Sequence, residues 1–206
     1  MPKLEIPRKA VYRLSLYYRA LQRLKANAVE TVSSAALSKA AGVKPTQLRK
    51  DLAYFGQLGT RGLGYSVEHL TQKLMEVLGT ARLQPVVLIG IGHLGSALVR
   101  YRGFEKEGFE IVAGFDMDVQ RNRSTARILP ILPMNGLRSF IQERQVKLAI
   151  LTVPVTVAQE VANELVACGI QAILNFAPTI LQVPDGVVVN NVDLAIELEN
   201  LSYFIR

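Results

Sequence analysis

The 206-residue sequence predicts an α/β protein in two parts: a basic, helical domain over residues 1–80 and a doubly wound parallel sheet from residue 83 onward. Three observations predict this. The first part holds 13 Lys and Arg against 5 Asp and Glu, whereas the remainder holds 11 against 12. Strand-like and helix-like segments alternate through the second part. A glycine-rich motif follows its first strand-like segment, and residues 79–84 between the parts have the composition of a linker.

The charge distribution indicates a nucleic-acid-binding domain at the N-terminus. The net charge of +7 divides into 13 − 5 = +8 for residues 1–80 and 11 − 12 = −1 for residues 81–206. A basic face of this kind attracts phosphate backbones, although a merely solvated basic surface would give the same numbers. Charge alone leaves both interpretations open.

Composition sets limits on the other function classes. Apolar residues make up 50% of the chain, but no apolar run reaches the roughly 18–20 residues of a membrane span. No apolar segment of a secretory signal follows the N-terminus. Cys168 is the one cysteine, which excludes an internal disulfide and a cysteine-based metal cluster. We therefore expect a cytoplasmic protein without a metal or a membrane partner.

The N-terminal part has the pattern of a helix-turn-helix. A first helix is predicted from Pro7 to about Asn27, with an apolar face of Val11, Leu14, Tyr18, Leu21 and Leu24. Ser33 or Ser34 can cap a short second helix whose apolar face is Ala36, Leu37 and Ala40. Gly42 supplies a tight turn and Pro45 begins a third helix, on which Leu48, Leu52 and Phe55 recur at core spacing.

The third helix has the side chains of a recognition helix. The residues left on its outer face are Thr46, Gln47, Arg49, Lys50 and Tyr54. Such side chains can contact base edges and phosphates in a major groove. Residues 56–66 hold four glycines and one arginine, which predicts a β-wing with Arg61 at its tip, suited to a minor groove. A plain surface hairpin is the alternative. Ser66 is expected to cap a fourth helix to about Leu78, completing a winged helix-turn-helix.

The second part opens with a dinucleotide-binding pattern. A buried strand, Val86–Ile89, leads into Gly90-x-Gly92-x-x-Gly95 and a helix, and the next strand ends at Asp116, 21 residues after Gly95. In this motif the glycines permit a tight turn, close approach of a pyrophosphate and close helix packing, while the carboxylate binds the adenosine ribose. A carboxylate there favours NAD(H) over NADP(H). A glycine-rich turn without a ligand is the alternative.

The same Rossmann pattern locates the rest of the candidate cofactor site. His93 and Leu94 lie in the glycine loop, and Met117 follows Asp116. Later strands are predicted at Lys147–Thr152, Ala172–Asn175 and Val187–Asn190, with helices at Gly136–Glu143 and Thr156–Ala167. Ligands in such sheets lie at the carboxyl ends of the strands. The residues expected near the nicotinamide are Thr152, Val153, Pro154, Asn175 and Phe176.

The C-terminal segment 191–206 is predicted to be an apolar helix. The apolar stripe of this segment is Leu194, Leu198, Leu201 and Ile205, widened by Ile196, Tyr203 and Phe204. A helix this apolar must be covered on more than one side. Packing on its own sheet is one solution, and insertion into a second subunit of a homodimer uses the extra faces better.

Together these segments resemble the Rex family of redox-sensing transcriptional repressors along essentially the whole chain. The resemblance is carried by VSSAALSKAAGVKPTQLRKDLAYFGQLGTRGLGYSV, VVLIGIGHLG, LAILTVP, GIQAILNFAPTILQVP and NNVDLAIELENLSYF. It implies a homodimer on a palindromic double-stranded operator, released by NADH and competent for DNA with NAD⁺. It also implies a C-terminal helix swapped between subunits and switch contacts at Arg13, Tyr101 and Asp193. The segment after Asp116 lacks the glycine common in the family and carries Arg121 and Arg123, which would weaken exclusion of a 2′-phosphate.

Two other function classes compete with a sensor. A dehydrogenase usually needs a proton donor at the nicotinamide, commonly His, Tyr or Lys. The two histidines are His69, in the basic domain, and His93, in the glycine loop, and no Tyr-x-x-x-Lys motif occurs. A DNA-binding protein that uses the Rossmann domain only to dimerise leaves Gly92, Gly95 and Asp116 unexplained. The sequence therefore favours a cofactor sensor.

Overall fold

The computed structural model describes residues 6–122 and 125–205, and the chain divides into two compact units, Met1–Arg82 and Leu83–Arg206. The described helices of the first unit are α1 (Arg8–Ala26), α2 (Ser34–Ala40), α3 (Pro45–Ala53) and α4 (Val67–Leu78). Its short strands, β1 (Thr31–Val32) and β2 (Tyr65–Ser66), pair antiparallel. This is a winged helix-turn-helix, as the sequence predicts.

The turns and caps of the first unit follow the predicted chemistry. Ser33, and not Ser34, caps α2, since its Oγ accepts a hydrogen bond from the Ala36 N–H at 3.1 Å. Gly42 has φ +69°, a conformation that glycine adopts without strain, and Pro45 is the first residue of α3. Ser66 caps α4 by accepting from the His69 N–H.

The core of the first unit corrects three sequence-based expectations. Leu14, Tyr17 and Leu21 of α1 are fully buried, whereas Val11 is 41% exposed. The α1 core face is therefore rotated away from Val11 and toward Tyr17. In the short helix α2 Leu37 is buried, but Ala36 and Ala40 are exposed because one turn of a seven-residue helix contacts the core.

The second unit is built on a six-stranded parallel sheet. Its strands are β3 (Gln84–Ile89), β4 (Phe109–Asp116), β5 (Ile131–Pro133), β6 (Leu148–Leu151), β7 (Ala172–Asn175) and β8 (Val188–Asn191). Their order across the sheet is β5-β4-β3-β6-β7-β8. The order therefore reverses between β3 and β6, which is where doubly wound sheets bind ligands.

Helices connect the strands of this sheet, and one more follows the last strand. They are α5 (His93–Arg100), α6 (Gly103–Lys106), α7 (Leu137–Arg144), α8 (Val155–Ala167) and the terminal α9 (Leu194–Tyr203). The sequence patterns did not indicate β5 or α6. Both are too short to show a period, and β5 has only three residues, the last of them a proline.

The terminal helix α9 lies open. None of its described residues is buried, and Leu194, Leu198 and Leu201 are each more than 60% exposed. Of the two solutions considered for this helix, packing on its own sheet is therefore not found in the single chain. No helix among the described residues is long and apolar enough to cross a membrane.

Candidate functional site

The glycine loop lies between the carboxyl ends of β3 and β6. Gly90 has φ +89°, and a Cβ there would meet the carbonyl oxygen of Thr152 at 2.9 Å. The Thr152 hydroxyl in turn donates to the Gly90 carbonyl oxygen at 2.6 Å. The two strand ends are thus joined directly at the reversal of strand order, and Thr152 acts in positioning the loop.

The other two glycines have opposite surroundings. A Cβ on Gly95 would lie 2.1 Å from the Gly90 carbonyl oxygen, so helix α5 approaches the loop as closely as backbone atoms permit. A Cβ on Gly92 would meet no atom within 4 Å, and Gly92 has φ −73°. Gly95 is therefore required by packing of the protein itself, whereas the fold places no demand on Gly92. That space lies at the N-terminus of α5, where backbone N–H groups favour an anion such as a pyrophosphate.

The carboxylate of Asp116 borders the same loop. Its Oδ2 accepts a hydrogen bond from the Ile91 N–H at 2.6 Å and its Oδ1 accepts from the Asp118 N–H at 2.8 Å. Each carboxylate oxygen retains a further lone pair for a ribose hydroxyl. Met117 beside it is 88% exposed. Arg123 lies outside the described residues, as does the side chain of Arg121.

The predicted nicotinamide-side residues fall into two groups. Val153, Pro154 and Phe176 lie partly or fully accessible at the ends of β6 and β7, and the Phe176 N–H donates to the Leu151 carbonyl. Asn175 differs, because its side chain is fully buried and already bonded to the loop backbone and to Asn191. The Asn175 side chain thus shapes the loop that follows β7, and its place beside the nicotinamide stays a prediction.

The loop residues His93 and Leu94 begin α5 and both are exposed. In the part of the chain that the structure describes, neither histidine forms an ion pair with a carboxylate: His93 lies in the glycine loop and His69 in α4 of the other unit. Among the described residues, no group of three or more His, Cys, Asp or Glu side chains is arranged to hold a metal ion.

In the N-terminal unit, α3 and the wing carry the predicted DNA-contacting residues. Thr46, Arg49 and Lys50 are exposed, whereas Gln47 and Tyr54 are half-buried. The wing turns between Thr60 and Gly64, which exchange backbone hydrogen bonds of 2.8 and 2.9 Å, and Arg61 is exposed in that turn.

A concave surface joins α3 to the wing. It is lined by Ser33, Ser34, Arg49, Gly59, Thr60, Arg61, Gly62, Gly64 and Tyr65. The Arg49 guanidinium donates to the Ser34 hydroxyl at 3.1 Å. Within residues 6–122 and 125–205 neither Arg49 nor Arg61 has a carboxylate partner, so both charges are available to an anion. The sequence did not indicate Ser34 as a member of this surface, because a serine in the first turn of a helix has no distinguishing pattern.

A buried ion pair holds α3 against α1, and the sequence analysis missed it. Asp51 is 1% exposed and accepts hydrogen bonds from Arg13 at 2.6 and 2.7 Å, from the Tyr17 hydroxyl at 2.7 Å and from Gln47 at 2.8 Å. Burial raises the pKa of the Asp51 carboxyl, but the hydrogen bonds from Arg13, Tyr17 and Gln47 outweigh it and leave that pKa below its usual value. Burial, and then the bond to Asp51, raises the pKa of Tyr17. One sign of this ion pair is present in the sequence, since Asp51 is the one acidic residue of α3.

The three residues implied as switch contacts each have a partner in their own unit. Arg13 binds Asp51, as described. The Tyr101 ring is 60% exposed, lies edge-on to Phe104 at 5.1 Å and covers Gly103, where a Cβ would meet the ring at 2.2 Å. The Asp193 carboxylate caps α9 by accepting from the backbone N–H groups of Ala195 and Ile196. Their roles in a switch stay predictions.

Two protein-family models match the chain, one on each unit. The model described as "Putative DNA-binding protein N-terminus" matches residues 5–53, and the one described as "CoA binding domain" matches residues 82–179. The first match covers α1 to α3, and the second covers the sheet from β3 to β7.

A winged helix-turn-helix joined to a Rossmann unit with a dinucleotide-type loop defines a class of transcription regulator with a sensory domain. The redox-sensing transcriptional repressor Rex of Carboxydothermus hydrogenoformans is 44% identical over 206 residues, covering 100% of this chain and 99% of that protein. Rex of Streptomyces coelicolor is 45% identical over 198 residues, covering 96% of this chain and 77% of that protein. The chain belongs to the Rex family of redox-sensing transcriptional repressors. These relatives confirm the prediction of a regulator and set the dehydrogenase alternative aside.

Solved structures of a Rex-family repressor, RSP, share the fold of the whole chain. RSP in complex with β-NAD⁺ and operator DNA has a TM-score of 0.90 at 36% identity, covering 98% of this chain and 93% of that one. RSP in complex with β-NADH has a TM-score of 0.85 at 36% identity, covering 97% of this chain and 94% of that one. The predicted fold class is thereby confirmed.

Proposed function

We propose that this chain represses transcription as a cytoplasmic homodimer, binds a palindromic operator through its winged helices and leaves the DNA when NADH binds its Rossmann unit. The observation that carries the cofactor half is the space at Gly92, bordered by the helix α5 N-terminus and the Asp116 carboxylate. The family relatives named as redox-sensing repressors, and the RSP complexes with β-NAD⁺ and β-NADH, support it.

The residues fit a dinucleotide of the NAD type. Gly92 leaves room for a pyrophosphate beside the backbone, since a side chain there would project into that space. Asp116 has one free acceptor position on each oxygen for the two ribose hydroxyls, and its negative charge opposes a 2′-phosphate. Val153, Pro154 and Phe176 lie at the strand ends where the nicotinamide is expected. The nicotinamide carries the redox difference: NAD⁺ has one positive charge more than NADH and a planar ring.

The DNA-binding part of the proposal rests on exposed cations that have no carboxylate partner among the described residues. Thr46, Arg49 and Lys50 lie on the open side of α3, and Arg61 lies in the turn of the wing. A helix with this arrangement enters a major groove, while a wing arginine suits the narrower minor groove. Ser34 adds a hydroxyl beside Arg49, and the two side chains together are suited to one DNA phosphate.

The dimer is supported by helix α9. Its apolar side chains are exposed in the single chain, with Tyr203 72% and Phe204 80% exposed. Exposed apolar side chains gathered on one helix are typical of a protein interface. A second copy of this chain would cover it and would place two recognition helices on one operator, about one DNA turn apart.

The experiment that tests this proposal is fluorescence anisotropy with a labelled duplex selected from a random pool by the full-length protein. The complex is titrated with NADH, NAD⁺ and NADPH at fixed salt. We expect NADH to release the DNA, with NAD⁺ weak or opposite and NADPH weaker than NADH; a coupling of about 1–3 kcal/mol is typical of allosteric proteins. If none of the three cofactors changes DNA binding, the Rossmann unit serves only for dimerisation.

A further inference from the structure

One buried carboxylate organises the recognition helix. Asp51 lies on α3 with 1% of its surface exposed, and its two oxygens accept four hydrogen bonds. Arg13 and Tyr17 donate three of them from α1, at 2.6 to 2.7 Å. These bonds fix the position of α3 on α1, because a carboxylate this buried cannot exchange its protein donors for water without a large penalty.

The fourth hydrogen bond determines the orientation of a side chain predicted to contact DNA. Gln47 Nε2 donates to Asp51 Oδ1 at 2.8 Å. A carboxamide has a donor end and an acceptor end, and a rotation by half a turn exchanges them. A carboxylate only accepts, so Asp51 admits the nitrogen end alone. The Gln47 oxygen and the second N–H hydrogen are then left for another partner.

The position of Gln47 allows that partner to be a base. It is the third residue of α3, next to the exposed Thr46, and it is half-buried. The N-terminal residues of a recognition helix are those that contact base edges in the major groove. Adenine presents an N6 amino donor and an N7 acceptor there, which matches a carboxamide oxygen and N–H taken together.

We propose that Asp51 is a specificity-determining residue that never touches DNA: it fixes the Gln47 carboxamide so that Gln47 reads one adenine in each half-site. This inference rests on the proposed function, since it needs the protein to bind DNA through α3. Guanine and thymine present only acceptors at the positions facing the Gln47 oxygen, so both are disfavoured. Arg13 and Tyr17 contribute to this base recognition indirectly, because they hold Asp51 in place.

The test measures base preference as distinct from affinity. The full-length protein selects duplexes from a random pool, and anisotropy then gives its affinity for duplexes changed symmetrically at each half-site position. We expect an adenine preference of about tenfold at one position, the size of a good bidentate contact. Gln47→Ala should abolish that preference and leave the others, and Asp51→Asn, which no longer dictates the amide orientation, should weaken it at the same position.

Coupling between the two residues separates positioning from general structural support. The double variant Gln47→Ala/Asp51→Asn should be no less selective at that position than Gln47→Ala alone, a non-additive result. The matched control is Gln72→Ala on α4, where the glutamine also donates to a carboxylate four residues away, Glu68, at 3.1 Å. That variant should keep every base preference.

Other outcomes contradict the inference. If Asp51→Asn weakens binding equally to all sequences and leaves the adenine preference intact, then Asp51 only stabilises the fold. Should Asp51→Asn unfold, Gln47→Glu decides, because its carboxylate has no N–H to donate to Asp51 and is repelled by it, so the adenine preference should be lost. An unmoved preference would overturn the inference. A wild-type protein that selects no common sequence would overturn the proposed function as well.

Discussion

The carboxylate of Asp116 accepts a hydrogen bond of 2.6 Å from the backbone N–H of Ile91, one residue into the glycine loop. The end of strand β4 is thereby tied to the loop that follows β3. A second bond, from the Asp118 N–H, fixes the other oxygen. The carboxylate is therefore oriented before any ligand arrives, so binding does not have to order it.

We expect Asp116→Ala to lower NADH affinity at least tenfold, because a hydrogen bond to a charged group contributes about 1.5–3 kcal/mol. The ratio of NADPH to NADH affinity should rise, since the repulsion of a 2′-phosphate is removed. Calorimetric titration of each cofactor measures both effects, and Asp185→Ala, on an exposed loop, is the control. Unchanged NADH affinity would show that the ribose does not contact Asp116.

Gly92 and Gly95 should separate binding from stability. Gly92→Ala adds a methyl group that meets nothing in the protein, so the Tm should stay within a degree or two of wild type while NADH affinity falls about tenfold, or roughly 1.4 kcal/mol. Gly95→Ala places a methyl group against the Gly90 carbonyl oxygen and should lower the free energy of unfolding by about 3 kcal/mol. Calorimetry and NADH titration of both variants measure the contrast; loss of stability in Gly92→Ala would contradict it.

Arg49→Ala and Lys50→Ala should each weaken DNA binding on any sequence. Each phosphate contact removed reduces the slope of log affinity against log salt by about one. The measurement is anisotropy over a salt series with the selected duplex. Lys106→Ala, an exposed lysine of the other unit, serves as the control and should leave the slope unchanged. Wild-type slopes in both α3 variants would place the recognition surface elsewhere.

Asp193 has two roles to distinguish, since it caps α9 and is implied as a switch contact. Asp193→Ala removes the cap, which costs about 1 kcal/mol of helix stability, together with the charge. Asp193→Ser keeps a capping oxygen and removes only the charge. We expect both variants to bind NADH with nearly wild-type affinity but to lose NADH-driven release of DNA. Undiminished release from Asp193→Ser would show that the charge has no part in the switch.

Asp51 should make the N-terminal unit sensitive to acid. Its folded-state pKa is lowered, so its contribution to stability is present above the unfolded value of about 3.9 and is lost as pH falls through the folded-state pKa. We expect Asp51→Asn to lower the free energy of unfolding by about 3 kcal/mol at neutral pH, because the ion pair with Arg13 is lost. That difference should shrink below pH 4 in urea titrations followed by tyrosine fluorescence. A difference independent of pH would mean that ionisation of Asp51 contributes nothing.

Tyr17 produces the opposite dependence. Its pKa is raised, so its contribution is full below the unfolded value of about 10 and is lost as pH rises through the folded-state pKa. The Tyr17→Phe variant should therefore lose less stability than wild type between neutral pH and alkaline pH in the same urea titrations.

Local patterns predicted much of this molecule because local chemistry decides it. Ser33 and Ser66 cap helices, Gly42 turns the chain with φ +69°, and β7 begins and ends at the predicted residues Ala172 and Asn175. Each of these depends on a few adjacent residues. The glycine motif is similar, because its spacing reflects a turn and a helix start within six residues.

Other features depend on residues far apart in the sequence and could not be read from it. The Arg13–Asp51 pair spans 38 residues, and the position of Asp51 as the one acidic residue of α3 does not identify its partner. The Asn175 side chain is buried and donates hydrogen bonds to Ala177, Thr179 and Asn191, partners that no local pattern indicates. The orientation of α1, with Tyr17 inside and Val11 outside, depends on what packs against it.

The sequence by itself determined the class of each domain, the order of its elements and the chemistry of its loops, because hydrophobic period, capping and glycine conformation act over a few residues. Only the tertiary structure decided that a side chain on Gly92 would meet no protein atom while one on Gly95 would meet the Gly90 carbonyl, and that Gln47 donates a hydrogen bond to Asp51. These depend on distances between segments that fold together. Such distances are set by the packing of a core, and no single segment of the sequence contains them.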